Sequence, residues 1–408
     1  MKYASSAILL LTLFGGMAIG ADGLRETTLR QAIRDAGLVP VDQTWRLPEP
    51  AVAAAGKLLF ESKELSLSRE TSCQTCHLDR FASADGLPLG IGTDATGEGK
   101  ERLAGGGDVL PRNTMALWGR GGVGYEIFFW DGRVEPGPDG IISQFGAAVT
   151  SDDPLAVAAH LPMVEIREMV PNDGSADVLK TETIDSGQHV YDEIAARVRS
   201  DVVLSEALTQ AFGISKSEIT IEHVTDSLAG FIRDRFRLQT SPLHNFAFGT
   251  GSLSAEQVAG GLLFYGRGRC VSCHSGPYFT DFSFHAIPAP QLGSGRNGFG
   301  VDYGRFNVTH VSSDIYKFRT PPLYNVTKTA PYSHSGALPS LPEMIRAHVD
   351  PLYLVDSRSM TTTERGQFYQ RIAQWSVEPI FSLELSDDDI KSLVAFLSSL
   401  DFPHDVAP

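Results

Sequence analysis

Two copies of one five-residue motif constrain this chain more than any other feature of its sequence. Residues 73–77 (CQTCH) and 270–274 (CVSCH) both follow the pattern C-x-x-C-H, the signal for covalent attachment of a c-type haem. The two cysteines of a motif can bond to the vinyl groups of one porphyrin, and the histidine can bind the iron. A single copy is also compatible with a zinc knuckle or a redox dithiol. Because the two copies use all four cysteines of the chain, the sequence favours two haems. The residues predicted to attach and ligate them are Cys73, Cys76 and His77, and Cys270, Cys273 and His274.

The overall charge narrows the choice of partners. The chain has 408 residues, of which 42% are hydrophobic, and its formal net charge is −15. No run of lysine or arginine supplies the concentrated basic face that phosphate binding needs, so nucleic acid is not expected as a partner. An acidic surface would attract a basic protein such as a small cytochrome, although many proteins are acidic for solubility alone.

The first twenty residues have the features of a secretory signal peptide. Lys2 provides the positive start, residues 7–14 are apolar, and residues 18–20 (AIG) form a small-residue cleavage site. An uncleaved anchor is the alternative, but the apolar run is short for a membrane span and no later segment reaches spanning length. We therefore expect a periplasmic protein with a signal peptide at 1–20 and no span in the mature chain. Export agrees with c-type haem, which bacteria attach outside the inner membrane.

A short repeat precedes each haem motif. Residues 55–60 read AGKLLF and residues 259–264 read AGGLLF, so five of the six positions are identical. This internal repeat predicts two haem domains built on one plan. Turn-forming residues at 241–242 and 249–251 place the boundary between them, which gives an N-terminal domain at 21–248 and a C-terminal domain at 249–408.

Helical periodicity dominates outside two irregular stretches. Helices are predicted at 25–37, 49–60, 189–212 and 220–238, from Ser254 through the repeat at 259–264, and at 340–349 and 386–400. Ser254, Ser340 and Ser386 are expected to cap the last three of these. The glycine-rich segment 86–107 predicts a long irregular loop over the first haem, and the segment 276–340 is again rich in glycine and proline with little helical period. The predicted fold is therefore mainly α, with two cytochrome c-like haem domains, long Gly/Pro-rich loops and little β structure.

Several longer motifs resemble a known family, the bacterial dihaem cytochrome c peroxidases and their MauG-like relatives. Besides the two haem motifs, the matching segments are 111–114 (PRNT), 129–133 (FWDGR), 316–326 (YKFRTPPLYNV) and 329–336 (TAPYSHSG). The resemblance covers most of the chain that follows the predicted signal peptide.

The resemblance assigns a role to each haem. In this family the N-terminal haem meets peroxide and the C-terminal haem supplies or stores electrons. His77 and His274 would be the respective proximal ligands, and Trp130 would carry electrons between the haems. The family's calcium site would map to the Asn113 side chain and the carbonyl groups of Thr320 and Pro322, and oxygen-only ligands suit a hard cation.

Members of the family differ in the residue that provides the sixth ligand of each haem iron. In many dihaem peroxidases a histidine in the loop after the first haem motif closes that iron. Here no histidine occurs between His77 and His160, and no methionine occurs between His77 and Met115. We therefore expect an N-terminal haem that is five-coordinate and open to peroxide, as in MauG-like proteins.

The distal ligand of the C-terminal haem is methionine or tyrosine in related proteins, and it lies in the helix after residues 329–336. The corresponding position here is His348, with Met344 and then Met360 as alternatives. A histidine in place of methionine lowers the potential of a haem.

Peroxide chemistry also needs a group that moves a proton near the N-terminal haem. The family uses a glutamate in a short E-M motif and a glutamine nearer the bridging tryptophan. Glu168 and Gln144 are the candidates, with Glu165 as a rival acid. Their spacing from Trp130 is long for the family, and Ala148 stands where a proline is usual. Tyr332 and His334 are expected near the C-terminal haem without an assigned role.

These expectations define one function and two alternatives. We expect a MauG-like or MbnH-like enzyme that uses hydrogen peroxide to form high-valent haem iron and oxidises an aromatic side chain, typically tryptophan, of a partner protein over a long range. The first alternative is a cytochrome c peroxidase that takes electrons from a small cytochrome c. The second is a dihaem electron carrier without peroxide chemistry.

Overall fold

Helices account for most of the regular structure. The computed structural model describes residues 21–145, 148, 150–174, 184–353, 355–375, 380 and 383–403, so the predicted signal peptide at 1–20 lies outside the described residues. The α-helices of the described residues are α1 (Ala21–Asp35), α2 (Pro50–Glu61), α3 (Cys73–Cys76), α4 (Arg102–Gly105), α5 (Pro154–His160), α6 (Ile184–Ser200), α7 (Val202–Phe212), α8 (Ile221–Arg235), α9 (Pro242–Phe248), α10 (Ala255–Tyr265), α11 (Phe306–Thr309), α12 (Leu341–Val349), α13 (Thr362–Trp375) and α14 (Asp387–Ser398).

Among the described residues, the β-strands form three short antiparallel pairs. The strands are β1 (Glu135–Gly137) with β2 (Gly140–Ile142), β3 (Phe284–His285) with β6 (Phe318–Arg319), and β4 (Ser294–Gly295) with β5 (Gly298–Phe299). The mainly α fold with little β structure is confirmed.

Serine caps start three helices where the sequence predicts them. The Ser254 hydroxyl accepts a hydrogen bond from the Gln257 amide, and the Gln257 side chain accepts one from the Ser254 amide. Ser340 and Ser386 cap α12 and α14 through the amides three residues later. These bonds satisfy amide groups that have no partner within the first turn of a helix.

The predicted helix at 189–212 is two helices. The chain breaks at Asp201, whose carboxylate accepts a hydrogen bond from the Leu204 amide and caps α7. Aspartate is among the preferred residues for such a cap, because its side-chain oxygen satisfies an amide of the first turn. The turn predicted at Ser241-Pro242 is the start of α9, again with a serine cap.

The repeated glycines let helices cross closely in both halves of the chain. A Cβ atom on Gly56 of α2 would lie 1.8 Å from the Ser227 carbonyl oxygen of α8. A Cβ atom on Gly260 of α10 would lie 1.8 Å from the Ser392 carbonyl oxygen of α14. The facing helices share the sequence pattern S-L-x-x-F, at 227–231 and 392–396. The internal repeat therefore includes the helix crossing that supports each haem motif.

The first helix packs on the second half of the chain. Helix α1 contacts α10 and α9, and Leu29 of α1 meets Gly261 of α10. One hydrophobic core continues from α1 to α14. The division at 248 and 249 stays a prediction. Within the described residues, no helix is both long enough and apolar enough to cross a membrane.

Candidate haem sites

The second haem motif opens onto a cavity that we call the C-terminal cavity. Cys270, Cys273 and His274 line one part of its wall, and Met344 and His348 of α12 line another. Helix α12 starts at the Ser340 cap, and its one-turn spacing puts Met344 and His348 on the same helix face. His348 and His274 are close enough for the charge of one to lower the pKa of the other. The cavity therefore offers two imidazole groups to one haem.

Three histidines have the same hydrogen-bonding arrangement. The Nδ1 atoms of His77, His274 and His348 lie 2.8, 2.9 and 2.7 Å from the carbonyl oxygens of Ser83, Phe279 and Met344. A carbonyl oxygen only accepts, so each Nδ1 carries the hydrogen and each Nε2 keeps a lone pair. Metal-binding histidines are commonly oriented by such a bond. Burial also lowers the pKa of His77 and of His274 to about 4, which keeps both imidazoles neutral.

The alternatives to His348 differ in position. Met344 lines the C-terminal cavity one turn before His348. Met360 does not line it, and its carbonyl group accepts a hydrogen bond from Arg365. The geometry thus leaves His348 and Met344 as candidates for the distal ligand.

Trp130 connects this cavity to the other half of the site. Its indole lines the C-terminal cavity, and its Nε1–H donates to the Asn113 carbonyl at 3.0 Å. Three residues later, Arg133 pairs with Glu165 at 3.3 Å. The 129–133 motif therefore runs from the C-terminal cavity to the acidic residues predicted for the N-terminal haem.

The glycine-rich loop after the first haem motif is held by one buried arginine. Arg102 donates hydrogen bonds to the carbonyl groups of Ile91, Gly92 and Gly97. Gly92 meets the Arg167 carbonyl so closely that a Cβ atom would lie 1.7 Å from it. Apart from the short helical turns at 99–105, the loop is irregular, as predicted, and it packs against the segment that contains Glu168.

Glu168 belongs to a turn at 165–170 that we call the distal turn. The Thr71 hydroxyl donates to the Glu168 carbonyl at 3.0 Å, and the Leu67 amide donates to the Met169 carbonyl at 2.9 Å. Both donors lie just before Cys73. Burial raises the pKa of the Cys73 thiol to about 12, and the nearby Glu168 carboxylate adds to this shift. The structure therefore brings Glu168 and the first haem motif together.

The two acids of the distal turn have different environments. Glu165 forms ion pairs with Arg133 and Arg296. Burial alone would raise its pKa, but these arginines outweigh burial and hold the pKa below its usual range. Burial, with help from the Glu165 charge, raises the pKa of Glu168 to about 8. Glu168 is thus the acid of this turn that can gain or lose a proton near neutral pH.

Arg296 reaches the distal turn from the hairpin between β4 and β5. The same loop supplies Asp302, which binds Arg112 through two hydrogen bonds of 2.7 and 2.8 Å. Arg112 also pairs with Asp131 at 2.6 Å. A buried ionic network therefore joins the 111–114 and 129–133 motifs to the C-terminal half of the chain.

No described contact links Gln144 to the other residues predicted to act at the N-terminal haem. Its backbone carbonyl lies 3.4 Å from His160 Nε2. Among the described hydrogen bonds, none links its side chain to Trp130 or Glu168. Its role in peroxide chemistry stays a prediction.

The residues predicted for calcium lie together, and one of the predicted ligand groups, the Thr320 carbonyl, is already engaged. Asn113, Thr320 and Pro322 all line the C-terminal cavity. The Thr320 carbonyl accepts hydrogen bonds from the Thr280 hydroxyl at 2.6 Å and from Arg319 at 3.2 Å. Both of its lone pairs are used, and a guanidinium group lies beside it. The described contacts do not favour a cation at this carbonyl.

The sequence assigned no role to two arginines of the C-terminal cavity. Arg120 and Arg319 are buried, line the cavity and form no ion pair with a described carboxylate. Such groups would pair with the propionates of a haem. The only sequence signal was the position of Arg319 within the 316–326 motif. Tyr332 and His334 also line this cavity, and His334 stacks on Phe318 with 3.8 Å between ring centroids.

Comparison with known proteins identifies the family. The sequence profile of the family described as di-haem cytochrome c peroxidase matches residues 50–252. The methylamine utilization protein MauG of Methylorubrum extorquens is 28% identical over 86% of this chain and 78% of its own length. The cytochrome c551 peroxidase of Pseudomonas aeruginosa is 26% identical over 85% of this chain and 77% of its own length.

A solved structure shares the fold. The crystal structure of a MauG-like protein associated with microbial copper homeostasis superimposes with a TM-score of 0.63 and 21% identity, over 90% of this chain and 92% of that chain. Family membership implies two c-type haems, and the two C-x-x-C-H motifs and the cavity residues suit them. The chain therefore belongs to the di-haem cytochrome c peroxidase and MauG family, whose members are dihaem oxidoreductases that act with hydrogen peroxide.

Proposed function

We propose that the protein is a periplasmic, MauG-like enzyme that reacts with hydrogen peroxide at the N-terminal haem and oxidises an aromatic side chain of a partner protein. The observation that carries the proposal is a difference between the two haem sites in the residues available as a second ligand of the iron. A second imidazole, that of His348, lines the C-terminal cavity together with the haem motif and His274. The loop after His77 contains neither histidine nor methionine as far as Gly107.

The residues of the N-terminal site would manage the protons of the reaction. When bound, the haem supplies an iron that accepts oxidising equivalents from peroxide. Peroxide must lose a proton from one oxygen and gain a proton on the other. Glu168 can accept and then return that proton because burial sets its pKa at about 8. Glu165 cannot share this role while Arg133 and Arg296 hold it ionised.

Electron transfer between the sites would use Trp130. Its indole lines the C-terminal cavity, while the same motif reaches the distal turn through Arg133. Electrons from a partner would enter through the C-terminal haem, held by His274 and His348. The proposal assigns no step to calcium, because the Thr320 carbonyl is already engaged.

A cytochrome c peroxidase is the second candidate function. The net charge of −15 suits a basic electron donor such as a small cytochrome c, and the family includes such peroxidases. The proposed acid–base role of Glu168 argues against a plain electron carrier, which needs no such group.

One experiment compares the two candidates. The holoprotein is given one equivalent of hydrogen peroxide, then either reduced cytochrome c or the protein encoded by a neighbouring gene. Mass spectrometry should show oxygen added to an aromatic residue of the second protein. Rapid turnover of reduced cytochrome c, with no modified aromatic residue, would contradict the proposal and favour the peroxidase.

A further inference from the structure

A tryptophan from a neighbouring helix binds the backbone at His348. The Trp375 indole Nε1–H donates to the His348 carbonyl oxygen at 3.1 Å, and Trp375 is only 5% exposed. Trp375 is the last residue of α13, and His348 is the last but one of α12. This hydrogen bond therefore joins α13 to the turn that carries the predicted distal ligand of the C-terminal haem.

The His348 carbonyl has no partner of its own within α12. The last four carbonyl groups of an α-helix lack an amide partner in the helix, and helix ends fray. Because α12 ends at Val349, the His348 carbonyl is one of these four. The Asp350 amide donates to the Arg346 carbonyl at 2.7 Å, but among the described hydrogen bonds no backbone amide donates to the His348 carbonyl. The Trp375 indole takes the place of the missing amide and restrains the last turn of α12.

The other described polar contacts of this turn are local or exposed. The His348 Nδ1–H donates to the Met344 carbonyl, which orients the imidazole but belongs to the same helix. Arg346 pairs with Asp387 of α14, whose side chain is 91% exposed, and such surface pairs contribute little to stability. Among the described contacts, the Trp375 hydrogen bond is thus the buried polar link between this turn and another helix.

Helix α13 is itself fixed to a wall of the C-terminal cavity. Arg371 and Trp375 are buried one turn apart on the same helix face. The Tyr316 hydroxyl donates to the Gln370 side chain at 3.0 Å, and the Arg371 guanidinium lies 5.7 Å from the centre of the Tyr316 ring. Tyr316 begins the 316–326 motif, most of which lines the cavity. The indole therefore holds His348 from a supported position.

We propose that Trp375 is a positioning residue that keeps the iron of the C-terminal haem closed to small ligands. By restraining the last turn of α12, its indole N–H favours the position in which His348 binds the iron, and this confines peroxide to the N-terminal haem. Trp375 is not among the residues that line the cavity, so it acts through His348. The inference rests on the proposed function, in which His348 is the distal ligand.

The expected size of the effect is that of one hydrogen bond. Its net contribution corresponds to a change of about 2- to 10-fold in an equilibrium constant. A bond between His348 and iron that is weakened by this factor can still keep the haem low spin, so the spin state alone is not the readout. A ligand that must displace His348 measures the change, because its apparent affinity rises by the same factor.

Trp45 provides a matched control. Its indole Nε1–H donates to the Leu238 carbonyl at 2.8 Å, a bond of the same kind that lies within the N-terminal half of the chain. The substitutions Trp375→Phe and Trp45→Phe each remove one indole N–H and keep an aromatic ring. A general loss of stability would affect ligand binding at both haems, whereas loss of support for His348 should affect the C-terminal haem of Trp375→Phe alone.

The test is a cyanide titration of the oxidised holoproteins, followed by electron paramagnetic resonance. Cyanide should first remove the high-spin signal of the N-terminal haem, at the same concentration in the wild type and both variants. The concentration that replaces half of the low-spin signal of the C-terminal haem should be about 2- to 10-fold lower in Trp375→Phe than in the wild type and in Trp45→Phe. An unchanged concentration in Trp375→Phe would overturn the proposal.

The variant His348→Ala separates this inference from the proposed function. If His348→Ala loses the low-spin signal while Trp375→Phe binds cyanide as the wild type does, the role of Trp375 alone is wrong. If the low-spin signal persists in His348→Ala, the ligand assignment is wrong and the role of Trp375 is wrong with it. If Trp375→Phe does not bind haem, the indole at 375 is replaced by benzothiophene, which keeps the two-ring shape without an N–H. Wild-type cyanide binding in that protein would equally overturn the proposal.

Discussion

Glu165 is held between Arg133 and Arg296, whereas Glu168, three residues later in the same turn, has no ion pair among the described residues. The arginines keep the pKa of Glu165 below its usual range, although burial alone would raise it. Burial and the charge of Glu165 raise the pKa of Glu168 to about 8. Two neighbouring carboxyl groups with separated pKa values can take different roles, and here only Glu168 is suited to moving protons.

Replacement of Glu168 by glutamine should slow the reaction with peroxide. We expect a loss of about 10²- to 10⁴-fold, the usual contribution of a general acid–base group. In the wild type the carboxylate form must accept the first proton, so the rate should rise as pH rises through about 8 and level off above it. Stopped-flow mixing with peroxide between pH 6 and 10 measures both effects. A Glu168→Gln protein that keeps the wild-type rate would refute this role.

Glu165→Gln provides the control for that pH dependence. Removal of the neighbouring negative charge should move the midpoint of the pH profile to lower pH, because the Glu165 charge raises the pKa of Glu168. The rate above pH 9 should stay near that of the wild type. A midpoint that moves upwards would contradict the assigned electrostatics.

His348→Ala should convert the C-terminal haem from low spin to high spin. Its Nε2 lone pair faces the cavity because Nδ1–H donates to the Met344 carbonyl at 2.7 Å. Met344→Leu, one turn away in the same cavity wall, should leave the low-spin signal intact. Visible and electron paramagnetic resonance spectra of both oxidised proteins make the comparison. Loss of the low-spin signal in Met344→Leu alone would transfer the ligand role to Met344.

Substitution of either repeated glycine by alanine should destabilise the protein to a similar extent. A Cβ atom at Gly56 or Gly260 would lie 1.8 Å from a carbonyl oxygen of the crossing helix, so alanine must push the helices apart. We expect each substitution to lower the free energy of unfolding by about 1–3 kcal/mol, as overpacking usually does. Gly366→Ala in α13 is the control, because no atom lies within 4 Å of its added Cβ.

Denaturant unfolding of the holoproteins measures the change in stability of these three glycine-to-alanine variants. Gly366→Ala should be neutral or stabilising, by up to about 1 kcal/mol, since alanine is the better helix former. If Gly56→Ala and Gly260→Ala unfold at the wild-type midpoint, the close helix crossings are not as described.

Arg112→Met should destabilise the protein by about 3–5 kcal/mol, because it leaves buried carboxylates without their cation. Arg112 pairs with Asp131 at 2.6 Å and with Asp302 at 2.7 Å. Burial alone would raise the pKa of Asp302, but Arg112 holds it below its usual range. The stabilising contribution of Asp302 is therefore fully present above the ordinary carboxyl pKa and is lost only as pH falls below it, towards the lowered pKa of the folded protein.

Urea unfolding at pH 7 and pH 4 tests this network. Arg112→Met should lose more stability at pH 7 than at pH 4, because burial raises the pKa of carboxyl groups that have lost this cation and they can take up protons at pH 4. Arg358→Ala is the control, since Arg358 pairs with Asp356 at an exposed position where its side chain is 92% exposed. Its unfolding midpoint should match the wild type, and an equally small effect of Arg112→Met would contradict the role of the network.

Local patterns predicted the parts of the site that lie close together in sequence. Spacing within a few residues predicts the haem motifs and the serine caps of α10, α12 and α14. It also predicts the position of His348 on α12. The structure places His348 and His274 on one cavity, and their binding to iron stays a prediction.

Contacts between distant residues could not be predicted in this way. Arg296 reaches Glu165 from 131 residues away, and Tyr324 meets His244 across 80 residues. Neither pair leaves a spacing signal in the sequence. Helix α13 was missed because its apolar residues are few among polar ones, and it is stabilised by burial of Phe368 and Trp375.

The inequality of the two haem sites is tested most directly by electron paramagnetic resonance of the oxidised, as-isolated holoprotein. The account predicts one high-spin signal, from the N-terminal haem with an open position, and one low-spin signal of equal intensity, from the C-terminal haem bound by His274 and His348. Two low-spin signals, with no high-spin iron, would contradict it.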